Sequence, residues 1–139
     1  MNIQNADKSA HSVVKSVLVV EDEPVTLMYL SDTLQDLGFA VTQANNATEA
    51  LHAASDGPAL SVAFVDLGLP DLSGLELISE LRRMQPGLNI VIASGYGEMA
   101  KRDMDNAEDA DGFTVLTKPY NQETITEILS DLGVLSDNN

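Results

Sequence analysis

Short runs of β-branched and aliphatic residues recur along the chain. They begin near Ser16, Phe39, Ser61, Asn89 and Phe113. Most of these runs are continuously apolar rather than alternating, as expected of strands that are covered on both faces. The spacing leaves room for one helix between each pair of strands.

The segments between these runs carry helix signals. The first has Pro24 in its first turn, leucines at three- and four-residue spacing, and then Gly38 as a stop. Asn46 and Ser73 each precede a glutamate by three residues, a pattern typical of helix starts. The fourth predicted helix, over residues 97–109, is very polar and has few apolar positions.

Five strands alternating with five helices predict an α/β fold: an open, mainly parallel sheet with helices on both faces. Ligands of such sheets bind outside the carboxyl ends of the strands. With 139 residues, 44% of them apolar, the chain is expected to form one domain over residues 15–135. Residues 1–14 are predicted to be a disordered tail, and residues 136–139 a short C-terminal tail.

The net charge indicates which kinds of partner the chain is expected to bind. The chain has 22 acidic and seven basic residues, for a net charge of −15, which argues against binding to nucleic acid or to anionic membranes. It suits a partner with a basic surface, or a cation. There is no cysteine, which excludes disulfides and thiolate metal sites. Neither a signal peptide nor a membrane-spanning run is recognisable, so a cytoplasmic location is expected.

Chemically distinctive side chains stand where the predicted strands end. They are Glu21, Asp22, Asp66, Ser94 and Lys118. Carboxylates that converge on one crevice repel each other, and a hard cation such as Mg²⁺ relieves that repulsion. An ionised Asp66 could then act as a nucleophile, while Ser94 and Lys118 suit a phosphoryl group. Each residue alone has a structural alternative in a helix start, a turn or a solvated surface, so the inference depends on the combination.

Four motifs carry a resemblance to a known family. They are VVEDEP (19–24), VDLGLPDLSGLEL (65–77), ASGYG (93–97) and TKPY (117–120). In order and spacing, this set resembles the receiver domain of two-component response regulators, the CheY-like superfamily. The resemblance implies a flavodoxin-like, doubly wound α/β fold with five parallel strands in the order 2-1-3-4-5 and five helices.

The resemblance also implies roles for individual residues. Asp66 would be the phosphoacceptor, and the Mg²⁺ site would consist of Glu21, Asp22, Asp66 and the backbone carbonyl of Gly68. Asp22 would be a direct ligand, and Glu21 would act through water.

On the opposite side, Ser94 would move toward the phosphate and Lys118 would contact it. The peptide bond between Lys118 and Pro119 would be cis. One position departs from the family: Val115 stands where an aromatic residue often reports phosphorylation, and Tyr96 is a possible substitute.

The implied function is acceptance of a phosphoryl group from a histidine kinase, a histidine phosphotransfer protein or a small phosphodonor. The domain would catalyse only its own phosphorylation and dephosphorylation, and is therefore not expected to be an enzyme acting on other substrates. Output would pass through the face of the fourth helix, fifth strand and fifth helix, or along a phosphorelay. A stand-alone regulator without a DNA-binding domain is expected, with excision from a hybrid histidine kinase as the alternative. A homodimer through the fourth helix is compatible with the family.

Two other functions share part of this set of residues. Phosphatases of the haloacid-dehalogenase type also use an aspartate after a strand with Mg²⁺, but they need a second aspartate two residues later, where this chain has Gly68. An interaction module that works without phosphorylation is the other alternative, and Val115 keeps it open.

Overall fold

Five parallel strands and four helices make up the part of the chain described by the computed structural model, residues 14–95 and 113–135. The strands are β1 (Ser16–Val20), β2 (Ala40–Ala44), β3 (Val62–Asp66), β4 (Asn89–Ser94) and β5 (Phe113–Thr117). The helices are α1 (Pro24–Asp36), α2 (Ala47–Asp56), α3 (Gly74–Met84) and α4 (Gln122–Asp131).

The strand order is β2-β1-β3-β4-β5, and every neighbouring pair is parallel. This confirms the predicted doubly wound sheet and its order. Helix α4 corresponds to the fifth helix predicted from the sequence, whereas the predicted fourth helix (97–109) lies outside the described residues. So do the predicted tails, except for the exposed Val14. None of the helices in the described ranges has the length and apolar content that a bilayer crossing requires.

The sheet separates two hydrophobic cores, because successive side chains of a strand point to opposite faces. On one face, Leu18 and Val20 of β1 pack with helices α2 and α3. On the other face, Val17 and Val19 pack with helices α1 and α4. Burial on both sides explains why the central strands read as unbroken apolar runs.

The predicted helix ends are where the sequence signals placed them. Gly38 and Gly133, which follow α1 and α4, have φ angles of 100° and 75°, in the left-handed region that glycine adopts without strain. The Asn46 side chain accepts a hydrogen bond from the third residue of α2, and Ser73 does the same for α3. These caps satisfy amide groups that the helices leave without a partner.

Helix α3 begins unusually close to the end of β3. A Cβ atom added to Gly74 would lie 2.7 Å from the Cα atom of Leu67, 2.8 Å from its Cδ2 atom and 2.9 Å from the carbonyl oxygen of Asp66. The Gly74 amide also donates a hydrogen bond of 3.3 Å to the carbonyl of Leu67. Glycine at this position therefore lets the first turn of α3 pack directly on the backbone that carries Asp66.

We expect Gly74→Ala to lower the free energy of unfolding by about 1–3 kcal/mol, the usual cost of overpacking. Alanine favours helices more than glycine does, so a loss of stability would show that the clash outweighs helix propensity. Urea unfolding followed by circular dichroism measures the difference. Adding Leu67→Ala should not restore stability, because two of the three close atoms belong to the backbone. Full recovery in the double variant would contradict this account.

Candidate functional site

The carboxyl ends of the central strands bring the predicted site residues together. Between β1 and β3 the strand order reverses, and doubly wound sheets bind their ligands at such a switch point. Glu21 directly follows β1, Asp66 is the last residue of β3, and Lys118 directly follows β5. Neighbouring strands are about 4.8 Å apart, so β3 and β5 are about 10 Å apart and only a long side chain from β5 can reach Asp66.

Three carboxylates form a cluster at this edge. One carboxylate oxygen from each of Glu21, Asp22 and Asp66 lies within 4.8 Å of the others. Glu21 and Asp66 are buried, with 2% and 6% of their surface exposed, whereas Asp22 is exposed. The cluster therefore has two oxygen donors inside the protein and one at the solvent boundary. Such an arrangement matches the oxygen chemistry of hard divalent cations.

Lys118 reaches across β4 into this cluster. Its Nζ atom donates a hydrogen bond of 3.2 Å to Glu21 Oε1 and lies 3.6 Å from Asp66 Oδ1. Burial alone would lower the pKa of the Lys118 ammonium, but the carboxylates of Asp66 and Glu21 outweigh burial and raise that pKa. Lys118 is thus held as a cation directly beside the proposed phosphoacceptor.

The surroundings of the Glu21 carboxylate disfavour its charged form. Burial raises its pKa, the Asp66 carboxylate raises it further, and Lys118 only partly opposes this. Its other oxygen, Oε2, accepts a hydrogen bond of 3.1 Å from the Glu23 amide. At Glu21, the Lys118 ammonium therefore does not offset the combined effect of burial and the Asp66 charge.

The loop after β3 places Gly68 next to the cluster. The Gly68 amide donates a hydrogen bond of 3.3 Å to Asp66 Oδ1, and the residue is exposed. This contact orients the Asp66 carboxylate from its own loop. Participation of the Gly68 carbonyl in metal binding remains a prediction.

The remaining predicted residues have different outcomes. Ser94 ends β4 one residue beyond Ala93, the register partner of Asp66, but its side chain and Tyr96 lie outside the described part of the chain. Val115 lies on β5 with 37% of its surface exposed. The cis peptide bond before Pro119 is present, as the resemblance implied.

Two features were not predicted from the sequence. The rings of Tyr29 on α1 and Tyr120 pack with their centroids 6.3 Å apart. Both tyrosines and Lys118 line a groove of about 480 Å³. Tyr120 precedes helix α4, which begins at Gln122. Burial, followed by the charges of Glu21 and Asp66, raises the pKa of its hydroxyl. No sequence pattern indicated that the two tyrosines would meet.

Asp71 is the second such feature. Its contacts are made with a different element of the fold. Its carboxylate accepts hydrogen bonds from the backbone amides of Ala47 and Thr48, at 2.9 and 3.1 Å, and one of 2.8 Å from the Thr48 hydroxyl. Asp71 therefore joins the loop after β3 to the start of α2.

Comparisons with known proteins agree with this geometry. The model of the response regulator receiver domain matches residues 17–130. The two-component response regulator PhoP of Pseudomonas aeruginosa is 35% identical over 84% of this chain and 50% of its own length. The chain spans half or less of the length of PhoP and of two other regulators to which it is similar.

Solved structures extend the comparison. A CheY-like receiver domain from Methylobacillus flagellatus is 30% identical, with a TM-score of 0.74 over 86% of this chain and 98% of that one. A response regulator from Burkholderia pseudomallei, solved with a phosphorylated aspartic acid and a calcium ion, is 34% identical. Its TM-score is 0.69 over 89% of this chain and 68% of that one. With the family model matched along most of its length, this chain belongs to the receiver domains of response regulators.

Proposed function

We propose that this receiver domain accepts a phosphoryl group on Asp66 in a Mg²⁺-dependent reaction. The observation that carries the proposal is the position of the Asp66 carboxylate. It is buried at a strand end, beside the carboxylates of Glu21 and Asp22 and 3.6 Å from the Lys118 ammonium. The phosphoryl group would come from a histidine kinase, a histidine phosphotransfer protein or a small phosphodonor.

The reaction would proceed as a displacement at phosphorus. An Asp66 carboxylate oxygen forms the new O–P bond while the bond from phosphorus to the donor nitrogen or oxygen breaks. The leaving atom keeps the electron pair and takes a proton from solvent when its basicity requires one. Lys118, 3.6 Å from Asp66 Oδ1, is placed to exchange its carboxylate contact for one to a phosphoryl oxygen.

The donor set fits Mg²⁺. Three carboxylates face one ammonium, all donor atoms are oxygens, and the exposed Asp22 leaves one side open to water. Glu21, Asp22, Asp66 and the carbonyl of Gly68 would hold the ion. When bound, the ion would neutralise charge on the carboxylates and on the incoming phosphoryl oxygens.

The Burkholderia regulator supports this proposal, because that protein was crystallised with a phosphorylated aspartic acid and a calcium ion. Calcium is also a hard cation that takes oxygen ligands. Histidine kinases are the general partners of receiver domains, and one relative of this chain is the sensor kinase CckA of Brucella abortus, 30% identical over 84% of this chain and 12% of that protein.

Other parts of the function stay predictions. They are stand-alone status, output through the predicted fourth helix with β5 and α4, a homodimer, Ser94 as a phosphate contact, and the cytoplasmic location. The phosphatase alternative is disfavoured by family membership and by Gly68 at the position that needs an aspartate. The exposed Val115 still leaves room for an interaction module that works without phosphorylation.

Incubation with Mg²⁺ and acetyl phosphate is expected to add one phosphoryl group, of about 80 Da, to the wild-type chain. Intact mass spectrometry measures the gain. Asp66→Asn and a sample with chelator should show none, because the nucleophile or the metal is missing. Lys118→Ala should be labelled more slowly, since it lacks the cation beside Asp66.

The matched control is Asp56→Asn, which changes an exposed aspartate at the end of α2 and should be labelled like wild type. Equal labelling of Asp66→Asn would contradict the assignment of the phosphoacceptor. Absence of labelling in every sample, with a cognate kinase also tried, would favour the interaction module.

Gly68→Asn is expected to change the rate of dephosphorylation more than the affinity for Mg²⁺. The new side chain would stand at the exposed side of Asp66 and alter access of water, whereas the proposed metal contact is a backbone carbonyl that the substitution keeps. Loss of the mass increment over time gives the rate, and calorimetric titration gives the affinity. An unchanged rate, or a larger change in affinity than in rate, would count against this role.

Glu21→Gln is expected to raise the free energy of unfolding at pH 7 when no divalent cation is present. The folded state raises the pKa of Glu21 above its ordinary value of 4.5, so it binds this proton more tightly than the unfolded state does. Stability contributed by this group therefore falls as the pH rises above 4.5. The advantage of the glutamine should shrink as the pH is lowered toward that value.

Urea unfolding at several pH values measures this difference. Glu127→Gln, which changes an exposed carboxylate on α4, serves as the control and should follow wild type. A Glu21→Gln variant less stable than wild type at pH 7 would show that the contact with Lys118 outweighs the cost of the buried charge.

A further inference from the structure

Asp71 makes contacts outside its own loop. Both of its carboxylate oxygens are used, one by the Ala47 amide and the other by the amide and hydroxyl of Thr48. These amides belong to the first turn of α2, where a helix has unpaired N–H groups and favours negative charge. Helix α2 already has its own cap, because Asn46 accepts a hydrogen bond of 2.8 Å from the Glu49 amide. Asp71 thus adds a second cap from a distant part of the chain.

The segment that leads into α2 is also hydrogen-bonded to the backbone of Glu21, which belongs to the acidic cluster. The Glu21 amide donates a hydrogen bond of 3.0 Å to the carbonyl of Ala44, the last residue of β2. Only two residues separate Ala44 from Ala47, to which Asp71 binds. Residues 44–48, which we call the α2 bridge, therefore connect the Glu21 backbone to the loop that follows Asp66.

The loop between β3 and α3 is held by hydrogen bonds close to the two elements that it joins. Gly74 donates to the carbonyl of Leu67, and Gly68 donates to the Asp66 carboxylate. Between these points the loop is exposed at Gly68 and Pro70. Leu69 and Leu72 of this loop pack against the hydrophobic core, and Asp71 hydrogen-bonds its outer part to the start of α2. Without that contact, the base of the loop would stay closed while the part that carries Gly68 would be held less firmly.

We propose that Asp71 is a positioning residue for the cation site. Through the α2 bridge, Asp71 sets the distance between the Gly68 carbonyl and the acidic pair Glu21–Asp22. This inference rests on the proposed function, since it concerns the metal that Asp66 would use. Groups that orient metal ligands without touching the metal commonly contribute about 10- to 100-fold to affinity.

The test compares Asp71→Ala with two variants that remove a helix cap but leave the α2 bridge attached to the loop. Asn46→Ala removes the local cap of α2, and Ser73→Ala removes the cap of α3 in the same loop. Calorimetric titration with MgCl₂ measures the affinity for metal. Amide chemical shifts in metal-free protein measure the placement of Gly68, and urea unfolding measures stability.

Asp71→Ala is expected to weaken Mg²⁺ binding by about tenfold, the lower end of the range for such residues, and to shift the Gly68 amide resonance. Asp71→Asn keeps one acceptor oxygen and should fall between Asp71→Ala and wild type. Asn46→Ala and Ser73→Ala should lose stability, as cap variants do, without changing the affinity or the Gly68 resonance.

The inference would be overturned if Asn46→Ala weakened Mg²⁺ binding as much as Asp71→Ala, because the effect would then be general loss of stability. It would also be overturned if Asp71→Ala left the affinity and the Gly68 resonance unchanged. Failure of the proposed function looks different: wild type itself would take up neither Mg²⁺ nor a phosphoryl group.

Discussion

Repulsion among the carboxylates of Glu21, Asp22 and Asp66 is the constraint that organises this end of the molecule. Two of these groups, Glu21 and Asp66, are buried, and the Lys118 ammonium lies within 4 Å of both. A protein shaped only for stability would not collect such charges at the end of its central strands. The surrounding structure holds them in place: Gly74 lets the start of α3 pack on Asp66, and Asp71 joins the loop after β3 to the start of α2. Binding of a divalent cation would relieve the repulsion among the carboxylates, and that relief would add to the affinity for the ion.

Much of the fold could be predicted because its signals are local. Continuous apolar runs mark strands covered on both faces, and Gly38, Asn46 and Ser73 mark helix ends through their own backbone or side-chain chemistry. The meeting of Glu21, Asp66 and Lys118 could be predicted as well. Parallel strands deliver their carboxyl ends to one edge of a sheet, so residues distant in sequence converge whenever each one ends a strand.

Contacts between a loop and a helix distant in sequence could not be predicted in this way. Asp71 binds α2 and Tyr120 packs on Tyr29, yet neither pair has a sequence period or spacing that links its members. Such contacts depend on how a loop is placed relative to a helix, which local patterns do not encode. The partner of Lys118 was also incomplete in the prediction, because a phosphate was anticipated but not the hydrogen bond to Glu21. The side chain of Ser94 lies outside the described part of the chain, so its role stays a prediction.

The contact between Tyr29 and Tyr120 has a practical consequence. The chain has no tryptophan and three tyrosines, and two of these pack together beside a groove that includes Lys118. Tyrosine fluorescence therefore comes from three residues, and two of them, Tyr29 and Tyr120, lie near the acidic cluster. The intrinsic fluorescence of these two tyrosines is therefore a means of following ligand binding near Lys118 without attaching a dye.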